Sequence, residues 1–129
     1  MKNINLTIAT FLGMTAIVLG AFGAHALKEK LGVDSLESFE TGVRYQMYHV
    51  IVLLFINTYI GFTSKSKNMI SLLFFFGILF FSGSLYMISM GLIPAKDIWF
   101  ITPLGGLLFI LGWTKMFVSF IKDQQNVNK

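Results

Sequence analysis

The sequence predicts an all-α membrane protein, a four-transmembrane-helix bundle forming a single domain over residues 1–129. Three observations carry that expectation. Hydrophobic residues make up 55% of the chain and charged residues only 12%, against roughly 25% charged in soluble domains. The apolar residues gather into four stretches, at 4–24, 45–64, 69–90 and 98–121. Each approaches the roughly 20 residues a helix needs to cross about 30 Å of hydrocarbon. Nearly all Lys, Arg, Asp and Glu lie in the short segments between and flanking them.

The first stretch follows Lys2 and ends in Gly20, Ala21, Phe22, Gly23 and Ala24, a pattern resembling a secretory signal with a cleavage site. Its apolar length exceeds that of a signal core, so it reads as a retained span. Gly13, Ala16, Gly20 and Ala24 fall on one helical face, with Gly23 beside it. Lipid tails are as apolar as leucine, so such small residues, which let backbones approach, make the packing seam.

Between spans one and two, Asp34 with Glu37 three positions later is spaced like a capping box. Leu36, Phe39 and Val43 then recur at helical spacing, predicting a short amphipathic helix at the outer interface that feeds span two. Span three carries Gly77 and Gly83. Span four opens on Trp99 and Phe100, with Trp113 towards its far end, the positions of an aromatic belt. Gly105 and Gly106 follow Pro103, and Gly112 lies further on; they serve either helix packing or a local break in span four.

Four spans place both termini and the 65–68 connection on one side, with Lys2, Lys65, Lys67, Lys122 and Lys129. The other side holds Lys28, Lys30, Arg44 and Lys96 and most of the acids. The Lys/Arg bias orients the chain with both termini cytoplasmic.

Polar groups inside a bilayer are costly and are therefore the functional candidates. His25 ends span one. Tyr45, Gln46 and His49 share a face of span two with Gly42. Ser82, Ser84 and Tyr86 lie in the outer half of span three, and Thr102 at the outer end of span four. Topology brings these groups to a similar depth, so His25, Tyr45, Gln46, His49, Ser84, Tyr86 and Thr102 form a candidate ligand site. Each also has a plain structural role open to it: His49 donating to a backbone carbonyl, His25 resting among headgroups. Asn57 and Thr58 read as interhelical hydrogen-bonding groups.

Other chemistries find little support. The chain has no cysteine. Two histidines without an intramembrane carboxylate fall short of a zinc set, and Met47, Met87 and Met90, though soft enough for copper(I), read as ordinary filler of a membrane core. No metal, cofactor or nucleic-acid partner is expected. No hydrolase or phosphate-loop motif is present, and no catalytic residue is assigned.

The segment 19–27, Leu-Gly-Ala-Phe-Gly-Ala-His-Ala-Leu, resembles the signature of the YwdK/YgdD-like family of small multi-pass membrane proteins. Three further segments resemble it: 41–49 with Tyr45, Gln46 and His49; 81–86, Phe-Ser-Gly-Ser-Leu-Tyr; and 101–106, Ile-Thr-Pro-Leu-Gly-Gly. The resemblance implies a bacterial plasma-membrane location and this span count. It implies no substrate, cofactor or catalytic residue.

Two functions follow as expectations. One is binding or transport of a small solute, ion or lipid headgroup at the outer-leaflet end of the bundle. The other is a structural or accessory subunit, with membrane lipids around it, packing against a second copy or another membrane protein through the faces of Gly13, Gly20, Gly23, Ala24, Gly83, Gly105 and Gly106.

Overall fold

The computed structural model describes residues 3–129, Ala24 by its backbone alone. Lys2 and the packing expected of the Ala24 side chain lie outside what is described. Among the described residues every regular element is helical. α1 (Ile4–Val18) runs through a π-helical turn (Leu19–Gly23) into α2 (Ala24–Leu27). Then come α3 (Val33–Thr58), α4 (Ser64–Ser89), the one-turn α5 (Ala95–Ile98) and α6 (Ile101–Val127).

Among the described residues three lengths are long and apolar enough to cross a membrane: Ile4–Leu27, Ser64–Ser89 and Ile101–Val127. α3 matches them in length at 26 residues but is less apolar. Asp34, Glu37, Glu40 and Arg44 occupy its first half, and Gln46, His49 and Asn57 lie on its buried face.

The expected span at 45–64 and the separate interfacial helix before it are corrected to one continuous helix. Nothing between Val33 and Thr58 interrupts the backbone ladder, and the helix stops where Tyr59 turns extended at φ −69, ψ 123. Gly32, not Asp34, occupies the N-cap, and no side chain caps this end. Asp34 sits inside the first turn, where a carboxylate still complements the helix dipole.

α4 begins five residues before the predicted boundary at 69, because a cap sets its start. The Thr63 hydroxyl accepts from the Ser66 backbone N–H at 3.2 Å, satisfying one of the free donors of the first turn. Its far end closes on Gly91 at φ +70. The Gly91 N–H donates to Ile88 O at 3.1 Å and the Leu92 N–H to Met87 O at 3.0 Å, the paired bonds of a Schellman ending. α6 starts at Ile101, not 98, and runs unbroken past Gly105 and Gly106. Pro103 falls in its first turn, where no intrahelical N–H bond is lost. The local break weighed for span four does not occur.

Each long helix packs against its neighbour in the chain: α1 on α3, α3 on α4, α4 on α6. Ala9 and Ala16 of α1 are fully buried. A Cβ added at Gly13 would meet Val50 at 3.2 Å, one at Gly20 would meet Val43 at 3.1 Å, and one at Gly23 would meet Phe39 at 3.0 Å. Residues 9, 13, 16, 20 and 23 thus form a small-residue stripe, spaced four and three in alternation, along which α1 lies close to α3. Between α4 and α6 the fit is reciprocal. Phe109 covers Gly77, Phe74 covers Gly112, and Gly105 rests on the Phe81 backbone with no room for a side chain.

Gly83 departs from its expected packing role, since nothing lies within 4 Å of a Cβ built there. It lines an apolar groove between α1 and α4 with Ile8, Leu12, Leu79 and Tyr86. Gly106 makes only an ordinary contact, with the Phe81 ring 3.9 Å away.

Candidate functional site

The buried face of α3 carries the sequence-predicted polar residues because Gly42, Gln46, His49, Val50 and Leu53 recur at three- and four-residue spacing. α1 covers one flank of this face and α4 and α6 the other, so its polar groups bond across to three helices.

Gln46, 3% exposed, joins three helices. Its amide nitrogen donates to Leu12 O at 2.8 Å and to Thr15 Oγ1 at 3.0 Å on α1. Its amide oxygen accepts from the Tyr86 hydroxyl on α4 at 2.7 Å. The Tyr86 ring packs on Phe39 at 5.1 Å and lies over Gly42, where a Cβ would come within 2.8 Å of it. Beside it the Ser82 hydroxyl donates to Gly42 O at 2.6 Å, tying α4 to α3.

His49 looks towards α6. Its Nε2 accepts from the Trp113 indole N–H at 3.1 Å, and its Nδ1 lies 2.7 Å from Tyr45 O. The ring stacks on Phe109 at 3.7 Å, nearly parallel at 7°, and meets the Phe74 edge at 5.0 Å. Trp113 therefore belongs to the middle of α6, twelve residues beyond Ile101, and not to an aromatic belt near its end. The Tyr45 ring is partly exposed and packs on Phe81 at 4.8 Å.

Ser84 and Thr102 join α4 to α6, with their hydroxyl oxygens 2.5 Å apart; Ser84 also donates to Phe81 O at 2.9 Å. His25 stands apart, exposed on α2. The structure thus distributes the predicted residues among separate ties: Gln46 with Tyr86, His49 with Trp113, Ser84 with Thr102. The donors and acceptors of these pairs point at one another. Among the described residues no group of three His, Cys, Asp or Glu is placed to hold a metal ion.

A second polar region lies at the opposite end of the bundle, where α1 begins, α3 ends and α4 begins. Asn57, 6% exposed, donates to Leu53 O and to Ser71 Oγ, each at 2.9 Å. Asn5 donates to Asn57 Oδ1 at 3.0 Å and to Asn68 Oδ1 at 2.9 Å. Asn57 thus has the interhelical role expected of it, whereas Thr58 bonds back to its own helix at Leu54 O and Phe55 O. Asn5, Asn68 and Ser71 were not anticipated as its partners. Their positions at corresponding ends of two apolar stretches were the available signal. Around them opens a cavity of about 310 Å³ lined by Asn3, Asn5, Asn57, Ser64, Lys67 and Asn68, with Ile4 the one apolar member.

Nearby, just beyond the end of α3, the Tyr59 hydroxyl donates to the Asp123 carboxylate at 2.5 Å. That bond, with smaller effects of desolvation and of the carboxylate charge, raises the Tyr59 pKa above its ordinary 10.

Comparison with known proteins agrees with the resemblance noted in the sequence. Residues 19–106 match the family profile described as protein of unknown function DUF423. A UPF0382 membrane protein of Staphylococcus saprophyticus is 46% identical over 109 residues, covering 84% of this chain and 89% of that protein. The UPF0382 membrane protein YwdK of Bacillus subtilis is 38% identical over 112 residues, 84% of this chain and 89% of its own length. The UPF0382 inner membrane protein YgdD of Escherichia coli is 33% identical over 125 residues, 91% and 88% of the two chains. No solved structure matches the chain. On this evidence the chain is a multi-pass membrane protein and belongs to the DUF423/UPF0382 family, which includes YwdK and YgdD.

Proposed function

We propose that this protein is a non-catalytic, four-pass accessory protein of the plasma membrane, with both termini in the cytoplasm, acting by association with other membrane components. α3 is the fourth crossing in this reading. Its polar face is turned into the bundle, so lipid does not meet Gln46, His49 or Asn57.

The observation that carries the reading is the closed state of the outer polar groups. Gln46 spends its amide on Leu12, Thr15 and Tyr86, His49 both ring nitrogens on Tyr45 and Trp113. A solute site there would have to break bonds in an environment without water to replace them, at about 1–3 kcal/mol per orphaned group. Binding or transport through this end is therefore the weaker reading. The small residues of α1 are likewise engaged within the chain. The outward side chains Phe11, Met14 and Ile17, each more than half exposed, are the surface left for association.

Photo-crosslinking from position 11 or 17 in native membranes tests this. A discrete adduct with a second copy or another membrane protein is expected. Only lipid adducts, together with saturable solute uptake into proteoliposomes that is lost in His49→Ala, would overturn it.

A further inference from the structure

Unlike the closed outer groups, the asparagine-lined cavity at the terminal end has donors to spare. Asn5 gives one amide hydrogen to Asn57 Oδ1 and the other to Asn68 Oδ1. This leaves the Asn68 amide nitrogen directed away from Asn5. Among the described residues it makes no hydrogen bond, nor do the hydroxyl of Ser64 and the ammonium of Lys67, and all three line the cavity.

Among the described residues the charge lining the cavity is one-sided, the nearby carboxylate of Asp123 being engaged by Tyr59. No Asp or Glu among the described residues lines the cavity, and neither α1 nor α4 has an acid in its first turn. Lys65 and Lys67 stand in the first turn of α4, the end where the backbone dipole disfavours a cation. A buried amide, Asn57, is among the lining residues and is held by Leu53, Ser71 and Asn5, so the cavity is shaped before anything enters it. Neutral donors, a lysine and no carboxylate suit an anion with several acceptor oxygens. The volume admits a phosphate with the glycerol attached to it, and the position, where α1 begins, α3 ends and α4 begins, suits the depth of lipid headgroups.

We propose that this cavity binds a phosphate group, with Lys67 supplying the charge and Asn68 and Ser64 the directed hydrogen bonds. The phosphate belongs either to an inner-leaflet lipid headgroup or to a free phosphate-bearing solute. The inference does not depend on the accessory role proposed above.

The test uses the full chain in phosphatidylcholine nanodiscs. Native mass spectrometry measures retention of dioleoyl phosphatidate against dioleoylglycerol, and a parallel assay measures binding of radiolabelled inorganic phosphate. Phosphatidate should be retained over dioleoylglycerol, and Lys67→Glu or Asn68→Asp should weaken that retention about tenfold, as loss of a charge-assisted bond implies. Lys122→Gln, away from the cavity, should leave it unchanged. Lys67→Gln replaces the carboxylate variants if they do not fold. Retention of the lipid alone identifies a headgroup, and binding of inorganic phosphate identifies a free ligand. No preference for either probe over dioleoylglycerol, or retention indifferent to Lys67 and Asn68, overturns the proposal.

Discussion

The indole N–H of Trp113 donates to Nε2 of His49 across 3.1 Å. An acceptor at Nε2 requires a lone pair there, so the ring proton resides on Nδ1, which donates to Tyr45 O at 2.7 Å. His49 is thereby held as one neutral tautomer by one partner on its own helix and one on α6.

Selective ¹⁵N labelling of histidine should accordingly show His49 protonated at Nδ1 and bare at Nε2. Trp113→Phe should cost about 0.5–1.5 kcal/mol, the net worth of one hydrogen bond. His49→Ala should cost about 2–4 kcal/mol, because it also opens a void against Phe109 and Phe74. Equal losses for the two variants, measured by reversible unfolding in mixed micelles, would contradict the ring's packing role.

Gln46→Leu should destabilise the bundle by about 1–3 kcal/mol, since it leaves the buried Tyr86 hydroxyl without its acceptor. Tyr86→Phe alone should cost less, near the 0.6 kcal/mol average of interhelical bonds in membranes. The double variant should fall short of the sum, as expected for residues in direct contact. Strict additivity in a double-mutant cycle would show that the 2.7 Å contact contributes no coupling.

Two glycines that look alike in the sequence should respond oppositely to alanine. Gly105→Ala drives a methyl group into the Phe81 backbone and should cost about 1–3 kcal/mol. Gly83→Ala meets open space and should be neutral or stabilising by about 0.5–1 kcal/mol, the helix preference of alanine. Thermal unfolding of the two variants side by side reads the difference.

The Tyr59–Asp123 pair predicts an alkaline dependence. The folded-state pKa of Tyr59 is raised, so its stabilisation is complete below the ordinary value near 10 and is lost as pH climbs through the folded-state value. Tyr59→Phe should remove that alkaline loss. Its absorbance titration near 295 nm, subtracted from that of the unmodified protein, should place Tyr59 above the ordinary tyrosine range.

The long helices were legible because hydropathy and length act locally, and so was the small-residue side of α1. Gly13, Ala16 and Gly20 announce a close approach by their size alone. Boundaries were less legible where a cap outranks hydropathy, as at Thr63. The joined helix Val33–Thr58 was missed because its charged first half and apolar second half read as two elements, although nothing between them breaks the backbone. The candidate site shows the same division. Gln46 meets Tyr86 and Ser84 meets Thr102, but position along a helix carries no information on which way a side chain turns.

Composition and apolar periodicity alone established that this chain lives in a membrane as a set of helices, because the cost of unpaired backbone in hydrocarbon leaves a helical chain no other choice. Which polar groups pair, and which remain open, was settled by helix rotation and close packing. Gln46 faces Thr15 and Tyr86, and His49 faces Trp113, because small residues at the seams let the helices come near enough for these bonds to form. The same packing left the amide of Asn68 and the ammonium of Lys67 beside a cavity, an outcome set by three helix ends meeting at one level.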